Sequence, residues 1–274
     1  MNGKELSHAL RTAGPVYGTL IVSPSPRWPS VLADSGLDFV FIDTEHIAID
    51  REALSWMCQV YQQHNIAPLV RIPEPNPNLA TMALDGGATG IIAPYVETAE
   101  QVRSLVGAVK CRPLKGKRLK EMLAGKPAEP TLQRYLDKHN AQNVLIVNVE
   151  SVPAVEALDE ILAVPGLDGV LIGPHDLSCS LGIPEQYEHP LFEETVRTII
   201  ERARSKQIGA GIHFWGSIDQ EIAWLRAGLN MLIHSGDILL FAKHLNQELH
   251  AIKTGVSLNH NHRPHLIKPN QVFV

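Results

Sequence analysis

Short apolar runs alternate with amphipathic segments along the whole chain. After each run, apolar residues recur at intervals of three and four, as they do on one face of a helix. Strands that are apolar on both faces are typical of a parallel sheet covered by helices. We count eight such strand–helix units, with strands predicted at 18–22, 39–43, 67–72, 90–96, 144–150, 169–174, 208–214 and 230–235. In a chain of 274 residues, this pattern predicts an α/β protein and favours a single (β/α)₈ TIM barrel over an open sheet.

Capping residues and glycines support these boundaries. Thr98 and Ser151 stand where helix N-caps are expected, the latter two residues before Pro153. Glycines in "DSGLD", "DGGATG" and "RAGLN" fit the points where a helix must stop before the next strand. Residues 111–143 interrupt the rhythm and predict an irregular excursion after the fourth helix. We expect one barrel domain over 1–254, followed by a C-terminal arm or tail over 255–274.

Composition narrows the class of protein. Hydrophobic residues make up 45% and charged residues 19% of the chain, which is typical of a globular protein. The net charge of −5, with one basic cluster at 115–120, argues against nucleic acid as the main partner. Three separated cysteines indicate reduced, buried thiols, and no run has the length of a membrane-spanning helix. We therefore expect a cytoplasmic protein that does not bind membranes.

The stretch "FVFIDTEHIAID" (39–50) places three titratable residues directly after an apolar strand. Asp43, Glu45 and His46 follow the second predicted strand, and Arg71 ends the third. In a (β/α)₈ barrel, the active site lies at the carboxyl ends of the strands. His46 alone fits a structural histidine equally well, and Arg71 alone fits a surface ion pair with Glu74. Together at one rim, they point to a reaction site.

Two further predicted strands end in polar residues. The fifth ends in Asn148 and Glu150, and the sixth continues through Gly173 and Pro174 to Asp176. Each carboxylate alone fits a helix-start or turn-capping role. As a pair without thiolates, they suit a hard divalent cation such as Mg²⁺ or Mn²⁺, with water and substrate oxygens as its other ligands. No strand ends in a lysine, which argues against a Schiff-base aldolase.

Four motifs together resemble the HpcH/HpaI family of class II pyruvate aldolases. They are "FIDTEH" (41–46), "LVRIPE" (69–74), "NVES" (148–151) and "GPHDLSCSLGIP" (173–184). The likeness runs from about residue 15 to residue 245. It implies a TIM barrel, a hexameric assembly, a divalent metal cofactor (Mg²⁺, Mn²⁺ or Co²⁺) and reversible cleavage of a 4-hydroxy-2-oxo acid. The products would be pyruvate, or hydroxypyruvate, and an aldehyde.

The resemblance also implies a role for individual residues. Glu150 and Asp176 are the expected metal ligands. His46 is the expected acid–base catalyst, and Asp43 and Asp85 belong to the acidic network that supports it. By the same resemblance, Arg71 would contact the pyruvate oxygens, Arg118 the distal end of the substrate, and the backbone of Gly173, Pro174, His175 and Asp176 the pyruvate carboxylate. Asn148 and the side chains of His175 and His213 are also expected to contact substrate, although these residue types depart from the family pattern.

Departures from the family pattern leave the aldehyde undetermined. His175, His213 and His234 stand where small or apolar residues are usual, and Leu119 replaces a loop glycine. Three alternatives therefore stay open: a lyase acting on a CoA thioester, an enzyme that transfers or isomerises at the same enolate, and a non-catalytic sugar-acid binding barrel. The polar replacements predict an aldehyde that carries hydroxyl groups or a carboxylate, because buried polar groups need partners.

Overall fold

The computed structural model describes residues 1–12 and 14–255 and contains a closed barrel of parallel strands in sequence order. The first strand pairs with both the second and the eighth, which closes the barrel. The strands are β1 (Val16–Ile21), β2 (Phe39–Asp43), β3 (Ala67–Arg71), β4 (Gly90–Ala93), β5 (Val144–Val149), β6 (Gly169–Ile172), β7 (Gly209–Phe214) and β8 (Met231–Gly236). The predicted (β/α)₈ barrel is confirmed.

Helices cover the outside of this barrel. They are α1 (Gly3–Arg11), α2 (Trp28–Leu32), α3 (Arg51–Gln63), α4 (Pro77–Asp85), α5 (Ala99–Lys110), α6 (Gly116–Leu123), α7 (Pro130–His139), α8 (Val152–Glu156), α9 (Leu158–Leu162), α10 (Pro174–Ser180), α11 (Pro190–Ser205), α12 (Ile218–Arg226) and α13 (Asp237–Gly255). Both predicted N-caps are present, since the side chains of Thr98 and Ser151 accept backbone N–H groups of α5 and α8. Within the described ranges, no helix has both the length and the hydropathy needed to cross a membrane.

Three features differ from the sequence prediction. The excursion at 111–143 is not irregular, because α6 and α7 lie within it. A short helix, α10, follows β6 where a loop was expected. The N-terminal helix α1 was not predicted: its Leu6 and Leu10 are fully buried in the same apolar cluster as the interior of the barrel. The predicted tail lies, apart from its first residue, outside the described residues.

The cysteines are free thiols, as predicted, but they are not all buried. Cys58 and Cys111 lie in the interior, whereas Cys179 is exposed on α10. Cys58 lies on the buried face of α3 and Cys111 at the buried end of α5, whereas Cys179 follows the buried Leu177 and Ser178 on the exposed side of α10.

Alternation along the strands separates two apolar layers. On β2, Phe39 and Phe41 belong to the cluster inside the barrel, whereas Val40 and Ile42 belong to the layer between strands and helices. Side chains two residues apart share a face of a strand. Asp43 therefore continues the inward-facing set that Phe39 and Phe41 begin.

The amino-terminal face of the barrel is held by a buried carboxylate. Asp168 is fully buried and accepts hydrogen bonds from Ser7 (2.7 Å), Arg11 (2.9 Å) and the backbone N–H of Leu145 (2.9 Å), with Lys110 as a second ion-pair partner. This cluster joins α1 and α5 to β5 at the end of the barrel opposite the polar strand ends. Contacts at the amino-terminal face thus stabilise the fold, whereas the active site of such a barrel lies at the carboxyl-terminal face.

Candidate active site

Four ionisable side chains meet at the ends of β2 and β3. Arg71 forms a bidentate pair with the buried Asp43, with Nε donating to Oδ1 (2.9 Å) and Nη2 to Oδ2 (2.7 Å). Its Nε lies 3.1 Å from Glu45 Oε2, and that oxygen lies 3.8 Å from Nε2 of His46. Burial alone would raise the pKa of Asp43, but the hydrogen-bonded guanidinium outweighs it and holds this pKa below its ordinary value. Asp43 is therefore a permanent anion that orients Arg71.

These contacts decide between the two interpretations of Arg71. The side chain is only 13% exposed, and its ion-pair partners are Asp43 and Glu45 rather than Glu74. The guanidinium also lies 5.2 Å from the centre of the Phe41 ring. Two of its five N–H donors bind Asp43. Arg71 is thus held rigidly at the mouth of the barrel and is not a surface residue.

A second polar group forms at the end of β5. Glu150 is nearly buried, and its two carboxylate oxygens accept hydrogen bonds from the backbone N–H of Tyr95 and the side-chain amide of Asn148, each at 2.7 Å. Burial, together with the negative charge of Asp176, raises the pKa of Glu150 to about 7 although these two hydrogen bonds lower it. The buried Oδ1 of Asn148 has no hydrogen-bond partner among the described residues.

The segment after β6 closes over this carboxylate. A Cβ atom at Gly173 would lie 2.7 Å from Glu150 Oε2, so only glycine leaves room for the carboxylate at that place. Pro174 then opens α10, and Asp176 stands in its first turn, exposed at the rim. The motif "GPHD" thus brings a second carboxylate close to Glu150.

One cavity of about 110 Å³ joins these groups. Its polar lining comes from His46, Arg71, Asn148, His175, Asp176 and His213, with Gly173 and Pro174 beside them. Its apolar lining consists of Leu20, Phe41, Leu171, Ile172 and Trp215. A cavity with both polar and apolar lining suits a small ligand that carries charged and less polar groups.

His213 lies within this cavity as a neutral ring. Its Nε2 is 3.0 Å from the carbonyl oxygen of Ser235, and the ring stacks edge-on against Phe41 and Trp215. Burial lowers the pKa of His213 to about 4. Since a carbonyl oxygen only accepts hydrogen bonds, Nε2 carries the proton, and Nδ1 is the acceptor atom.

Some predicted residues do not line this cavity. Asp43 lies behind the side chain of Arg71, and Glu150 lies behind the backbone of Gly173. Arg71 and Gly173 themselves line the cavity. Asp85 is the last residue of α4, where it pairs with Arg112. Arg118 pairs with Glu129 and Glu121 beside α6.

The positions of Asp85 and Arg118 follow from the fold. A helix that begins near the carboxyl end of its strand runs back along the barrel, so the last residue of α4 lies far from the rim. Arg118 is on a helix outside the strand layer. Within one chain, neither residue comes together with His46 and Arg71. His234 also faces away from the cavity and binds Glu221 of α12 at 2.9 Å.

Three residues at the site had no predicted role. Glu45 contacts both Arg71 and His46, Tyr95 binds Glu150 through its backbone, and Trp215 lines the cavity. The position of Glu45 in "DTEH" was a usable signal. Tyr95 and Trp215 carry no charge and belong to none of the four motifs, so no local pattern distinguished them.

The donor set fits a hard divalent cation. In the described part of the chain, no group of three or more His, Cys, Asp or Glu side chains could hold a metal ion. Two carboxylates are nevertheless sufficient for Mg²⁺-like ions, which keep several water or substrate oxygens as ligands. Burial is the main cause that raises the pKa of Glu150, and the negative charge of Asp176 adds to it although Arg71 opposes it. A bound cation at this place would supply a compensating positive charge.

Comparison with known proteins gives concordant matches. Residues 19–242 match the family model described as HpcH/HpaI aldolase/citrate lyase. The 2-keto-3-deoxy-L-rhamnonate aldolase of Escherichia coli K12 is 33% identical over 248 residues, which cover 90% of this chain and 92% of that protein.

Solved structures match over nearly the whole chain as well. An HpcH/HpaI aldolase from Desulfitobacterium hafniense superposes with a TM-score of 0.78 at 27% identity and covers 97% of this chain and 98% of its own. The citrate synthase SbnG superposes with a TM-score of 0.78 at 32% identity, over 91% of this chain and 98% of its own. The same barrel thus occurs in a protein described as an aldolase and in one described as a citrate synthase.

Proposed function

Because the chain belongs to the HpcH/HpaI aldolase/citrate lyase family, we propose that its active site is the cavity lined by His46, Arg71, Asn148 and Asp176. The chain is a class II aldolase, a carbon–carbon lyase that cleaves a 4-hydroxy-2-oxo acid reversibly to pyruvate (or hydroxypyruvate) and an aldehyde. Its substrates are therefore small molecules. The observation that carries the assignment of the site is that these four side chains, from four different strand ends, line one cavity.

The residues divide the chemistry between them. In cleavage, the C4 hydroxyl loses its proton, the C3–C4 bond breaks, and the bonding electron pair stays on the 2-oxo fragment as an enolate. C4 becomes the aldehyde carbon, and protonation of the enolate at C3 gives pyruvate. His46, which is 33% exposed at the rim, accepts the hydroxyl proton directly or through a water. Arg71 donates hydrogen bonds to the oxygens that carry the developing charge.

The metal requirement of the family fits the two carboxylates. Glu150 and Asp176 would hold the cation, and we propose Mg²⁺, Mn²⁺ or Co²⁺. Bound there, the cation supplies Lewis-acid stabilisation of the enolate charge. Asn148 orients Glu150 through its amide group and is itself part of the cavity lining. The backbone from Gly173 to Asp176, together with His175, would hold the carboxylate end of the 2-oxo acid.

A panel of 4-hydroxy-2-oxo acids tests the function and its substrate preference. We expect pyruvate release, measured through lactate dehydrogenase and NADH, from substrates whose aldehyde portion carries hydroxyl groups or a carboxylate. Nδ1 of His175 is a buried ring atom with no hydrogen-bond partner among the described residues, and a plain alkyl chain offers it none, so alkyl substrates should react about tenfold more slowly. His46→Asn should lower kcat by about 10²-fold or more.

The matched control is His64→Asn at the end of α3, which should react like the unmodified protein. Cleavage of a CoA thioester without pyruvate formation would favour the lyase alternative. Tight binding of a sugar acid without turnover would favour the non-catalytic barrel. Equal rates with alkyl and hydroxylated substrates would contradict the proposed preference for polar aldehydes but not the proposed aldolase function.

We also propose that the protein is a homo-oligomer, and specifically a hexamer. Helix α13 carries a stripe of exposed apolar side chains at helical spacing, formed by Ile238, Phe241, Leu245, Leu249 and Ile252. Such a stripe on a surface helix is unusual unless another surface covers it. A second copy of the chain is the expected partner.

Light scattering coupled to gel filtration tests this assembly. We expect a mass about six times the 30.1 kDa of one chain. Phe241→Glu with Leu245→Glu should lower that mass, because charges cannot be buried without partners. Gln247→Glu adds one negative charge on the polar face of α13 and should leave the mass unchanged. A monomeric unmodified protein would contradict the proposal.

A further inference from the structure

Strand β8 contains a bulge next to the candidate active site. Its pairing with β1 is regular up to Gly18, which stands opposite Ile233, but Leu20 then stands opposite Gly236. Two residues of β8 therefore face one residue of β1. A bulge of this kind turns groups of the strand out of their regular directions, and such bulges are frequent beside active sites.

The two bulged residues are His234 and Ser235, and contacts on either side hold them. Ser235 has a φ of +52°, in the left-handed region that residues other than glycine adopt at a cost. The hydroxyl of Thr19 donates to the carbonyl oxygen of His234 at 2.8 Å, and Nδ1 of His234 lies 2.9 Å from each carboxylate oxygen of the buried Glu221. Thr19, His234 and Glu221 thus stabilise the bulge without lining the cavity.

The bulge brings a carbonyl group to the ring of His213. Nε2 of this ring lies 3.0 Å from the carbonyl oxygen of Ser235, and a neutral imidazole has only one N–H, so that N–H is used there. Burial is the largest cause that lowers the pKa of His213 to about 4, and the positive charge of Arg71 lowers it as well, although the hydrogen bond to Ser235 opposes both. At neutral pH, His213 therefore presents neither an N–H donor nor a positive charge to the cavity.

A carboxylate and a hydroxyl group differ in what they need from such a lining. A carboxylate only accepts hydrogen bonds, and it loses its hydration on entering a cavity, so it needs donors or a cation there. A hydroxyl group both donates and accepts and carries no charge. An aldehyde with a carboxylate would therefore be poorly matched at His213, whereas a hydroxyaldehyde would not.

We propose that the bulged carbonyl of Ser235, by taking the N–H of His213, makes His213 a specificity-determining residue that disfavours aldehydes with a carboxylate and favours hydroxyaldehydes. Thr19 and His234 are positioning residues, because they act on the cavity through the carbonyl of Ser235. The inference rests on the proposed aldolase function and on the expected contact of His213 with the aldehyde. It narrows the preference for polar aldehydes to those that carry hydroxyl groups.

His213→Gln tests the proposal from inside the cavity. A glutamine amide carries two N–H groups, so one can bind Ser235 while the other can bind a substrate carboxylate. With pyruvate as the nucleophile, the measurement is the ratio of kcat/KM for succinic semialdehyde to that for glycolaldehyde. This ratio should be about tenfold higher in the variant than in the unmodified protein. A change of less than about twofold, or no product from succinic semialdehyde with either protein, would overturn the inference.

Thr19→Val tests the bulge from outside the cavity. It removes the hydroxyl with little change in shape and should release the carbonyl of His234, so the ratio should rise about threefold or more. Thr19→Ser keeps a hydroxyl group and should restore the ratio of the unmodified protein. The matched control is Thr89→Val, which should leave the ratio unchanged. Thr89 is as buried as Thr19, each being 6% exposed, but it precedes β4 at the opposite end of the barrel.

A double-mutant cycle connects Thr19 to His213. In a His213→Leu background there is no ring N–H to hold, so Thr19→Val should change the ratio by less than about twofold. An equal change in both backgrounds would mean that Thr19 serves only the fold, and the inference would be wrong. If no 4-hydroxy-2-oxo acid of the panel yields pyruvate, the proposed function itself fails. Pyruvate release combined with ratios that none of these substitutions changes would contradict this inference alone.

Discussion

Removal of divalent metal is expected to abolish pyruvate release, with a loss of at least about 10³-fold. Lewis-acid stabilisation of an enolate is worth several kcal/mol, and each 1.36 kcal/mol is a factor of ten in rate. Glu150 and Asp176 are two carboxylates with no third protein ligand in the described part of the chain, so the site is open and EDTA should reach the ion. Mn²⁺, Co²⁺ or Mg²⁺ should restore activity to the stripped protein.

Substitutions of the two carboxylates and the pH dependence of metal binding test whether Glu150 and Asp176 are the metal ligands. Glu150→Gln and Asp176→Asn should each fail to regain activity with metal, whereas Glu160→Gln and Asp219→Asn, which change exposed carboxylates elsewhere, should regain it. Burial places the pKa of metal-free Glu150 at about 7, so protons should compete with the cation below that pH. The apparent Kd for Mn²⁺ should rise as the pH falls through this range. Full activity in a metal-free sample would exclude the assignment.

Arg71→Lys is expected to lower kcat/KM by about 10²-fold or more, a loss comparable to that of an oxyanion-hole donor. Lysine keeps the positive charge but cannot form the bidentate pair with Asp43 and also present further donors to the substrate. The variant should still bind metal, because Glu150 and Asp176 are untouched. Steady-state kinetics with the substrate that releases pyruvate fastest, together with Mn²⁺ titration, checks both expectations.

The control for Arg71 is a surface arginine. Arg103 pairs with Glu100 on α5 and is 49% exposed, so Arg103→Lys should keep full activity. Circular dichroism separates a loss of chemistry from a loss of folding. If Arg71→Lys behaves like Arg103→Lys, the guanidinium fork takes no part in the reaction, and the pair with Asp43 serves only the fold.

Much of the site follows from local sequence because a parallel barrel imposes one rule on every strand. Once the strands are recognised, their carboxyl ends must meet at one rim, and alternation must turn Asp43, Arg71 and Asn148 inward. Periodicity alone therefore predicts which polar residues come together. It fails for 111–143, where α6 and α7 do not follow the strand–helix rhythm that made the other elements recognisable.

Contacts between distant segments required the tertiary structure. Asp85 and Arg118 have the residue types that the chemistry calls for, but they lie on helices that carry them away from the cavity. Tyr95 has no distinctive local pattern, yet a left-handed backbone and the packing of β4 beside β5 bring its N–H to Glu150.

The sequence by itself determined the barrel, the rim and the polar residues at the strand ends, since hydrophobic period and strand direction are local properties. The tertiary structure decided which of those residues bind one another, how deeply each is buried and hence how its pKa shifts. Glu150 illustrates the division. Its position after β5 can be predicted from the sequence. Its raised pKa, however, comes from burial beneath Gly173 and from the negative charge of Asp176 in α10. Desolvation and through-space charge depend on neighbours that the chain brings together only by folding.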